Sequence, residues 1–184
     1  MIDHTADNEE IVMGLMDILQ QYTNTTAVAN PNIAHDEHFD EVSRAAPPEI
    51  LGQGVADAFR ADNTPPFGEM VGQMFGQSNP QQQAGVLNQL LRSIGPGLLS
   101  ALGGGILGRM SAPSNAGIPQ VTPEQASQVT PEQVREIATR AEQHDPSVLD
   151  KIGGFYAEHP QLVKTLGSAA LAIALAGVAN RMRR

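Results

Sequence analysis

Residues 121–133 read VTPEQASQVTPEQ, a five-residue unit that occurs twice and marks two helix starts. In each copy a threonine takes the N-cap position, a proline the first helical position and a glutamine the third. The threonine and glutamine of such a capping box bond each other's free backbone N–H groups, and a proline there loses no hydrogen bond. The repeat therefore predicts a helix of one to two turns from Thr122 and a longer one from Thr130 to about Gln143.

Helix starts led by proline recur along the rest of the chain. Proline is tolerated only in the first turn of a helix, where its missing N–H would have no partner. Such starts occur at 47–48, 64–66, 79–80, 145–146 and 159–160. Apolar residues follow each start at a spacing of three or four, which is typical of an amphipathic helix. The clearest such stripe comprises Phe67, Met70, Val71, Met74 and Phe75.

The remaining signals are also helical. Two further helices are predicted at about Asp7–Tyr22 and Asp36–Ala45, the helix from Pro80 is expected to end at 95–97, and the last helix is expected to run from Pro160 to about Asn180. No stretch alternates with a period of two, and no Asn-Gly or Asp-Gly hairpin turn occurs. We therefore predict an all-α chain, a two-lobed bundle of about eight to nine mostly short helices joined by Pro/Gly turns, without a sheet.

A linker-like segment suggests where the two lobes divide. Residues 111–119 read SAPSNAGIP, a composition typical of a linker. The predicted organisation is an acidic N-terminal helical lobe over 1–110 that ends in a Gly/Leu-rich segment, a linker over 111–120, and a C-terminal helical lobe over 121–184. The last helix of that second lobe is apolar and rich in small residues.

Composition excludes several classes of function. The 184 residues include no cysteine, which rules out disulfides, cysteine-ligated metal centres and a thiol nucleophile. The formal net charge of −9 argues against nucleic acid as a partner, because phosphates would repel the chain. Residues 1–69 carry 13 acids and two bases, whereas residues 70–184 carry seven acids and nine bases. Such asymmetry suits a protein that keeps one end in water and packs the other against apolar surface.

Several stretches resemble a bacterial family. MGLMDIL (13–19), GPGLLSALGGGILG (95–108) and VREIATRAEQHDPSVLDKI (134–152) resemble the YidB-like proteins of unknown function. APPEILGQGVADAFR (46–60) and FYAEHPQLVKTLGSAALAIALAG (155–177) are similar to uncharacterised proteobacterial proteins with the same layout. The resemblance covers most of residues 13–180 and implies a small, helical bacterial protein of the cytoplasm, with no family activity to transfer.

One stretch is dense in metal-ligand types. Residues 35–41 read HDEHFDE, and a spacing of three places His35 and His38 on one face of a helix. Glu41 or Asp40 would complete a set of two histidines and one carboxylate, which is a common metal-binding arrangement. A solvated, acidic helix start explains the same residues, and we therefore expect neither a resident metal nor another cofactor.

Signatures of catalysis are missing. The chain contains no Gly-x-Ser-x-Gly elbow, and no serine–lysine motif pairs with a second catalytic signature. The glycine-rich run GGGILGRM (103–110) lacks the Gly-Lys-Ser/Thr ending of a phosphate-binding loop, and no strand precedes it. We therefore expect that the protein is not an enzyme.

Two apolar segments invite a functional interpretation. Residues 86–110 combine a leucine stripe with Arg92 and Arg109, a pattern that fits a membrane-surface helix or a broken core helix. Residues 165–179 are uncharged, but at ~1.5 Å per residue they reach about 22 Å, short of the ~30 Å hydrocarbon core of a bilayer. A buried or packed helix is therefore favoured over a spanning one.

Small residues of the last segment form two ridges suited to close helix–helix contact within the fold, between subunits or in lipid. The ridges comprise Ser168, Ala172 and Ala176, and Ala169, Ile173 and Gly177. The basic residues Arg181, Arg183 and Arg184 that follow can pair with the acidic lobe of a neighbouring subunit or with anionic lipid. Packing within one chain, with a solvated basic tail, is the simpler alternative.

These patterns predict a non-enzymatic helical protein that self-associates into a homo-oligomer through its apolar Gly/Ala-rich helices. The alternative is a peripheral membrane protein that uses residues 86–110 and the basic C-terminus on an anionic surface. The second alternative is a carboxylate–histidine metal-binding protein. The expected location is the cytoplasm, with the inner face of the membrane as the variant that the lipid-binding alternative requires.

Overall fold

A computed structural model describes residues 4–23, 33–102 and 120–184. The α-helices within these ranges are α1 (His4–Tyr22), α2 (His35–Ala45), α3 (Pro48–Arg60), α4 (Phe67–Gln77), α5 (Pro80–Leu102), α6 (Pro123–Ala126), α7 (Pro131–His144), α8 (Val148–Ala157), α9 (Pro160–Val163) and α10 (Ser168–Met182). A 3-10 turn at Lys164–Leu166 joins α9 to α10. These three ranges contain no strand, and the prediction of an all-α chain is confirmed.

The repeated capping boxes begin two helices as predicted. The backbone N–H of Gln125 donates to Thr122 Oγ1 at 3.4 Å, and the N–H of Thr122 donates to Gln125 Oε1 at 3.0 Å. Thr130 and Gln133 make the same pair of hydrogen bonds at the start of α7. Helix α6 is therefore a single turn, and α7 ends at His144, one residue beyond the predicted end.

Two predicted helix boundaries are wrong. Helix α5 continues through residues 95–97 to Leu102, because its first four turns already bury a stripe of apolar side chains and helix propagation is cooperative. The predicted last helix is divided in two at Gly167, whose φ of +88° lies in the left-handed region that favours glycine. Gly167 then serves as the N-cap of α10.

Helices from both sides of the predicted linker share one hydrophobic core. Helix α3 lies between α8 and α10, and α4 packs against α7. Helix α5 contacts α6, α7 and α8, while α1 covers α2 and α10. The predicted boundary at 111–120, most of which lies outside the described residues, therefore does not separate two cores. The two lobes of the prediction pack as one body because the small residues of α3, α8 and α10 allow their helix axes to approach closely.

Glycines create the closest of these approaches. A Cβ atom added at Gly52 of α3 would lie 2.8 Å from Gly154 Cα in α8. One added at Gly54, on the opposite side of α3, would lie 2.5 Å from the carbonyl oxygen of Ala174 in α10. In α4, a Cβ at Gly72 would lie 2.9 Å from the carbonyl oxygen of Pro131 at the start of α7. Ridge-into-groove packing at these places requires the absence of a side chain.

No helix in the described ranges is both long enough and apolar enough to cross a membrane.

Candidate functional site

A buried polar cluster connects the end of α1 to the start of α2. The phenol oxygen Oη of Tyr22 lies 2.8 Å from Nδ1 of His35 and 2.9 Å from Nδ1 of His38. Tyr22 is 2% exposed and His35 is 4% exposed. A phenol carries a single proton, so its hydroxyl donates to one imidazole and accepts from the other. The hydroxyl is therefore satisfied on both sides by two histidines in different hydrogen-bonding roles.

Burial controls the ionisation of this phenol. Desolvation disfavours the charged phenolate and raises the pKa of Tyr22 to about 12. The ring also packs against both imidazoles, with centroid separations of 5.6 Å to His35 and 5.8 Å to His38. Tyr22 therefore stays a neutral hydrogen-bonding partner at ordinary pH and anchors α1 to α2.

The predicted carboxylate–histidine set is only partly assembled. The structure brings His35 and His38 together, but their Nδ1 atoms meet at Tyr22. Glu41 is exposed, and Asp40 forms an ion pair with Lys164 at 2.6 Å. Across residues 4–23, 33–102 and 120–184, no three His, Cys, Asp or Glu side chains are arranged to hold a metal ion. The carboxylate part of the prediction is therefore wrong, because helix packing supplies a phenol in its place.

The small-residue ridges of α10 are used mainly inside the chain. Ala172 is fully buried, and Gly177 lies against α3, where an added Cβ would be 3.1 Å from Gly54 Cα. Ile173 and Ala176 are half-buried, and Ser168 and Ala169 are exposed. The predicted self-association surface is therefore wrong for Ala172 and Gly177, since α3 already occupies the groove beside them.

The arginines that are predicted to contact lipid or an acidic partner differ in whether they are already paired within the chain. Arg181 pairs with Asp57 of its own chain and also donates from Nε to Gln53 Oε1 at 2.8 Å. Arg183, Arg184 and Arg92 are exposed, and none of the three forms an ion pair within the described part of the chain. Arg109 lies outside the described residues.

An exposed apolar surface lies where α1 meets the end of α10. Met13 is 70% exposed and Met16 is 39% exposed, and they are the exposed large hydrophobic residues among the side chains that the structure describes. Beside Met16 lies a shallow groove of about 380 Å³, closed on its far side by Met182 and Arg183. We call Met13, Met16, Met182, Arg183 and Arg184 the α1/α10 face.

Sequence reasoning missed this face, although a signal was present. The buried stripe of α1 comprises Leu15, Ile18, Leu19 and Tyr22, and the methionines lie outside it at a spacing of three. A single exposed apolar residue is ordinary, whereas two neighbouring ones on the polar side of an amphipathic helix form a patch of the kind found at interaction sites.

A groove of about 980 Å³ runs between α4 and α7 and is open to solvent. Four of its charges are paired, because Arg140 contacts Glu136 at 2.6 Å and Arg135 lies 3.9 Å from Glu69. Exposed pairs of this kind contribute little energy, and with Glu132 the lining holds three acids against two arginines. The α4/α7 groove therefore carries no concentrated charge that would attract an ionic ligand.

No known protein family, curated protein or solved structure matches this chain. The resemblance to YidB-like proteins stays a prediction.

Proposed function

We propose that this chain is a non-enzymatic helical protein that self-associates, and that two copies pair through their α1/α10 faces. The observation that carries the proposal is the 70% exposure of Met13 beside Met16. Flexible, polarisable methionines suit a surface that adapts to a partner. Full burial of an exposed methionine contributes about 1.5–3 kcal/mol. Met16 contributes less because it is only 39% exposed, so the four methionines of a two-fold interface offset part of the cost of association.

The dimensions of α1 suit a helix-to-helix interface. Its 19 residues span about 28 Å at ~1.5 Å per residue, enough for several turns of contact between two copies. A two-fold axis across α1 would place the two helices antiparallel and bury the same surface on each chain. The exposed methionines lie near the middle of α1, where such an axis would pass.

Charge favours the antiparallel arrangement. The first turns of α1 contain Asp7, Glu9 and Glu10, whereas the end of α1 lies beside Arg183 of its own chain. Antiparallel pairing brings the acidic start of one α1 over the basic tail of the other chain, at both ends of the interface. Complementary charges of this kind direct register and orientation.

A lipid surface fits less well than a second copy. Anionic headgroups would attract Arg183 and Arg184 but repel the acids of α1, including the exposed Asp17. Leu87, Leu90 and Leu91 of the predicted membrane-surface segment are buried within the core. A second copy of the chain offers both acidic and basic residues to the face. Binding to anionic vesicles is the alternative result that the experiment below would detect.

A charge-swap experiment tests the proposal. One variant carries Glu9→Arg with Glu10→Arg, and the other carries Arg183→Glu with Arg184→Glu. Each variant alone places like charges at both ends of the antiparallel pair, whereas a mixture restores opposite charges at both ends. We expect light scattering after size exclusion to show a wild-type dimer, two monomeric variants, and a dimer in the equimolar mixture.

Controls make the result specific. Gln143→Glu on the exposed side of α7 changes charge away from the face and should leave the dimer intact. A wild-type monomer at every concentration would refute self-association, and a mixture that stays monomeric would refute the antiparallel geometry. A monomer that co-sediments with anionic vesicles, and loses this with Arg183→Ala and Arg184→Ala, would show the lipid-binding alternative instead.

A further inference from the structure

The cluster of Tyr22, His35 and His38 brings three atoms that can act as metal ligands to one place. The Nδ1 nitrogens of the two histidines both lie within 2.9 Å of the phenol oxygen. One of the three is held at the last residue of α1 and the other two on successive turns of α2. Tyr22 and His35 are almost fully buried, so packing keeps these ligand atoms close together before any ion arrives.

The donor set has a definite chemical preference. Imidazole nitrogen is a ligand of Zn²⁺, Cu²⁺ and Ni²⁺, and a phenolate is an anionic oxygen ligand. A tetrahedral ion with bonds of about 2.0–2.1 Å separates its ligand atoms by about 3.3 Å. The separations of 2.8 and 2.9 Å in the cluster are shorter by about 0.4–0.5 Å, a difference that small rotations of Tyr22, His35 and His38 would supply.

We propose that Tyr22, His35 and His38 form a binding site for a divalent transition-metal ion of the Cu²⁺ or Zn²⁺ type, through Oη and the two Nδ1 atoms, with solvent completing the coordination. Binding breaks the phenol O–H bond and releases one proton to solvent for each ion taken up. The imidazole that carries a proton on Nδ1 transfers it to Nε2, with no net change in protons. The site goes beyond the proposed self-association and does not depend on it.

The charges around the cluster determine whether a cation is attracted or repelled there. The positive end of the α2 dipole opposes a cation near His35, and the exposed first-turn acids Asp36 and Glu37 offset it. The last turn of α1 contains no basic residue, and Lys164, which contacts α2, is paired there with Asp40. A divalent ion bound to the phenolate and two neutral imidazoles gives the site a net charge of one positive unit. With a neutral phenol the net charge would be two positive units.

Copper provides a direct readout of the proposed ligands. The full-length protein is titrated with CuCl₂ after exhaustive dialysis, with His4→Gln, His144→Gln and His159→Gln in the background to remove the three histidines elsewhere in the chain. We expect one equivalent of Cu²⁺ per chain and a visible phenolate-to-copper charge-transfer band, which imidazole or carboxylate ligands alone do not give. EDTA should remove the copper and abolish the band, whereas ZnCl₂ should displace copper only in large excess, because such ligands bind Cu²⁺ more tightly than Zn²⁺.

The chain offers a matched pair of variants, because it contains two tyrosines. Tyr22→Phe should remove the band and weaken copper binding at least tenfold, whereas Tyr156→Phe, in the buried core, should keep both. His38→Gln should weaken binding to a similar extent. Circular dichroism of the metal-free variants checks that each is folded. If His38→Gln does not fold, the copper affinity and the spectrum of Tyr22→Phe test the site.

Two results would overturn the site. The first is weak binding of several ions by the wild-type background, without one equivalent held through dialysis. The second is a copper complex that Tyr22→Phe leaves unchanged in affinity and spectrum. Since stoichiometry is counted per chain, neither result depends on whether the protein is a monomer or a dimer.

Discussion

The guanidinium group of Arg181 in α10 forms a bidentate ion pair with the carboxylate of Asp57 in α3. Nη2 donates to Oδ1 at 3.1 Å, and Nη1 forms a short hydrogen bond to Oδ2. Nη1 also donates to the carbonyl oxygen of Gly177, one turn earlier in α10. The hydrogen bonds to Asp57 stabilise the cation and raise the pKa of Arg181. The pair therefore joins the C-terminal helix α10 to α3, beside the close contact between Gly177 and Gly54.

Loss of the Arg181–Asp57 pair should destabilise the fold measurably. Both side chains are about 30% exposed, so solvent screening reduces the contribution of the pair to about 1–2 kcal/mol. We expect Arg181→Ala to lower the free energy of unfolding in urea by that amount. The matched control is Arg60→Ala, because the Arg60–Asp150 pair is more exposed, at 42% and 51%, and should contribute only about 0–0.5 kcal/mol. Equal losses in the two variants would contradict this assignment.

The glycine contacts between α3 and α10 predict a second effect on stability. A Cβ at Gly54 would lie 2.5 Å from a backbone oxygen and 2.7 Å from Val178 Cγ2, so Gly54→Ala must push the two helices apart. Overpacking of this kind costs about 1–3 kcal/mol. In Gly14→Ala the new Cβ meets nothing within 4 Å in the exposed side of α1, and the variant should be more stable by about 0.5–1 kcal/mol. Thermal unfolding of both variants measures the contrast.

Gly177→Leu distinguishes the two interpretations of α10. If the small residues pack only within the chain, the variant should lower the melting temperature even in dilute, monomeric samples. If they instead form the contact between copies, the variant should dissociate the assembly while the monomer keeps its melting temperature. The buried position of Gly177 against Asp57 and Gly54 predicts the first result.

Local chemistry explains what could be predicted from the sequence. The caps at Thr122 and Thr130 need only residues within one turn, so their helices start where expected. The burial of Gly177 within the chain depends on its contact with Gly54, a residue more than one hundred positions away. No local sequence pattern predicts that contact. The predicted end of α5 at 95–97 is also wrong. Burial of the apolar stripe before Pro96 stabilises the helix by more than the proline destabilises it.

The polar cluster shows the same division. The spacing of His35 and His38 predicts that the two histidines share a face of α2, and the structure brings them together. The sequence predicts Tyr22 only as the last residue of a helix, because its hydroxyl meets the histidines through the packing of α1 on α2. The exchange of a predicted carboxylate for a phenol is therefore a consequence of tertiary structure alone.

Tyrosine ionisation offers a test of both buried phenols in one experiment. Burial raises the pKa of Tyr22 to about 12 and raises that of Tyr156 as well. A raised folded-state pKa gives stability that is complete below the ordinary value near 10 and is lost as the pH rises above it. With two tyrosines and no tryptophan, phenolate absorbance reports these groups alone.

We expect no phenolate absorbance near pH 10 in the native protein and full ionisation near pH 10 in concentrated urea. In the native protein, ionisation should begin only as circular dichroism shows alkaline unfolding. Tyr22→Phe should leave one late-ionising phenol, Tyr156. A native tyrosine that titrates near its ordinary pKa would show that α1 does not cover the cluster.

Asp145 predicts acid sensitivity at the start of α8. Its carboxylate accepts hydrogen bonds from the backbone N–H of Ser147 at 3.0 Å and from Lys151 Nζ at 2.9 Å. These bonds, chiefly those from Ser147 and then that from Lys151, lower the pKa of Asp145 to about 2. A lowered folded-state pKa gives stability that is complete above the ordinary value near 4 and is lost as the pH falls towards 2.

The Asp145→Asn variant isolates this contribution. The wild-type protein should lose stability between pH 5 and pH 2.5, and the variant should lose less over the same interval because it has no carboxylate to protonate. Urea unfolding midpoints at the two pH values measure the difference, and Asp62→Asn in the exposed turn after α3 serves as the control. The same pH dependence in wild type and Asp145→Asn would show that the contacts with Ser147 and Lys151 do not persist in solution.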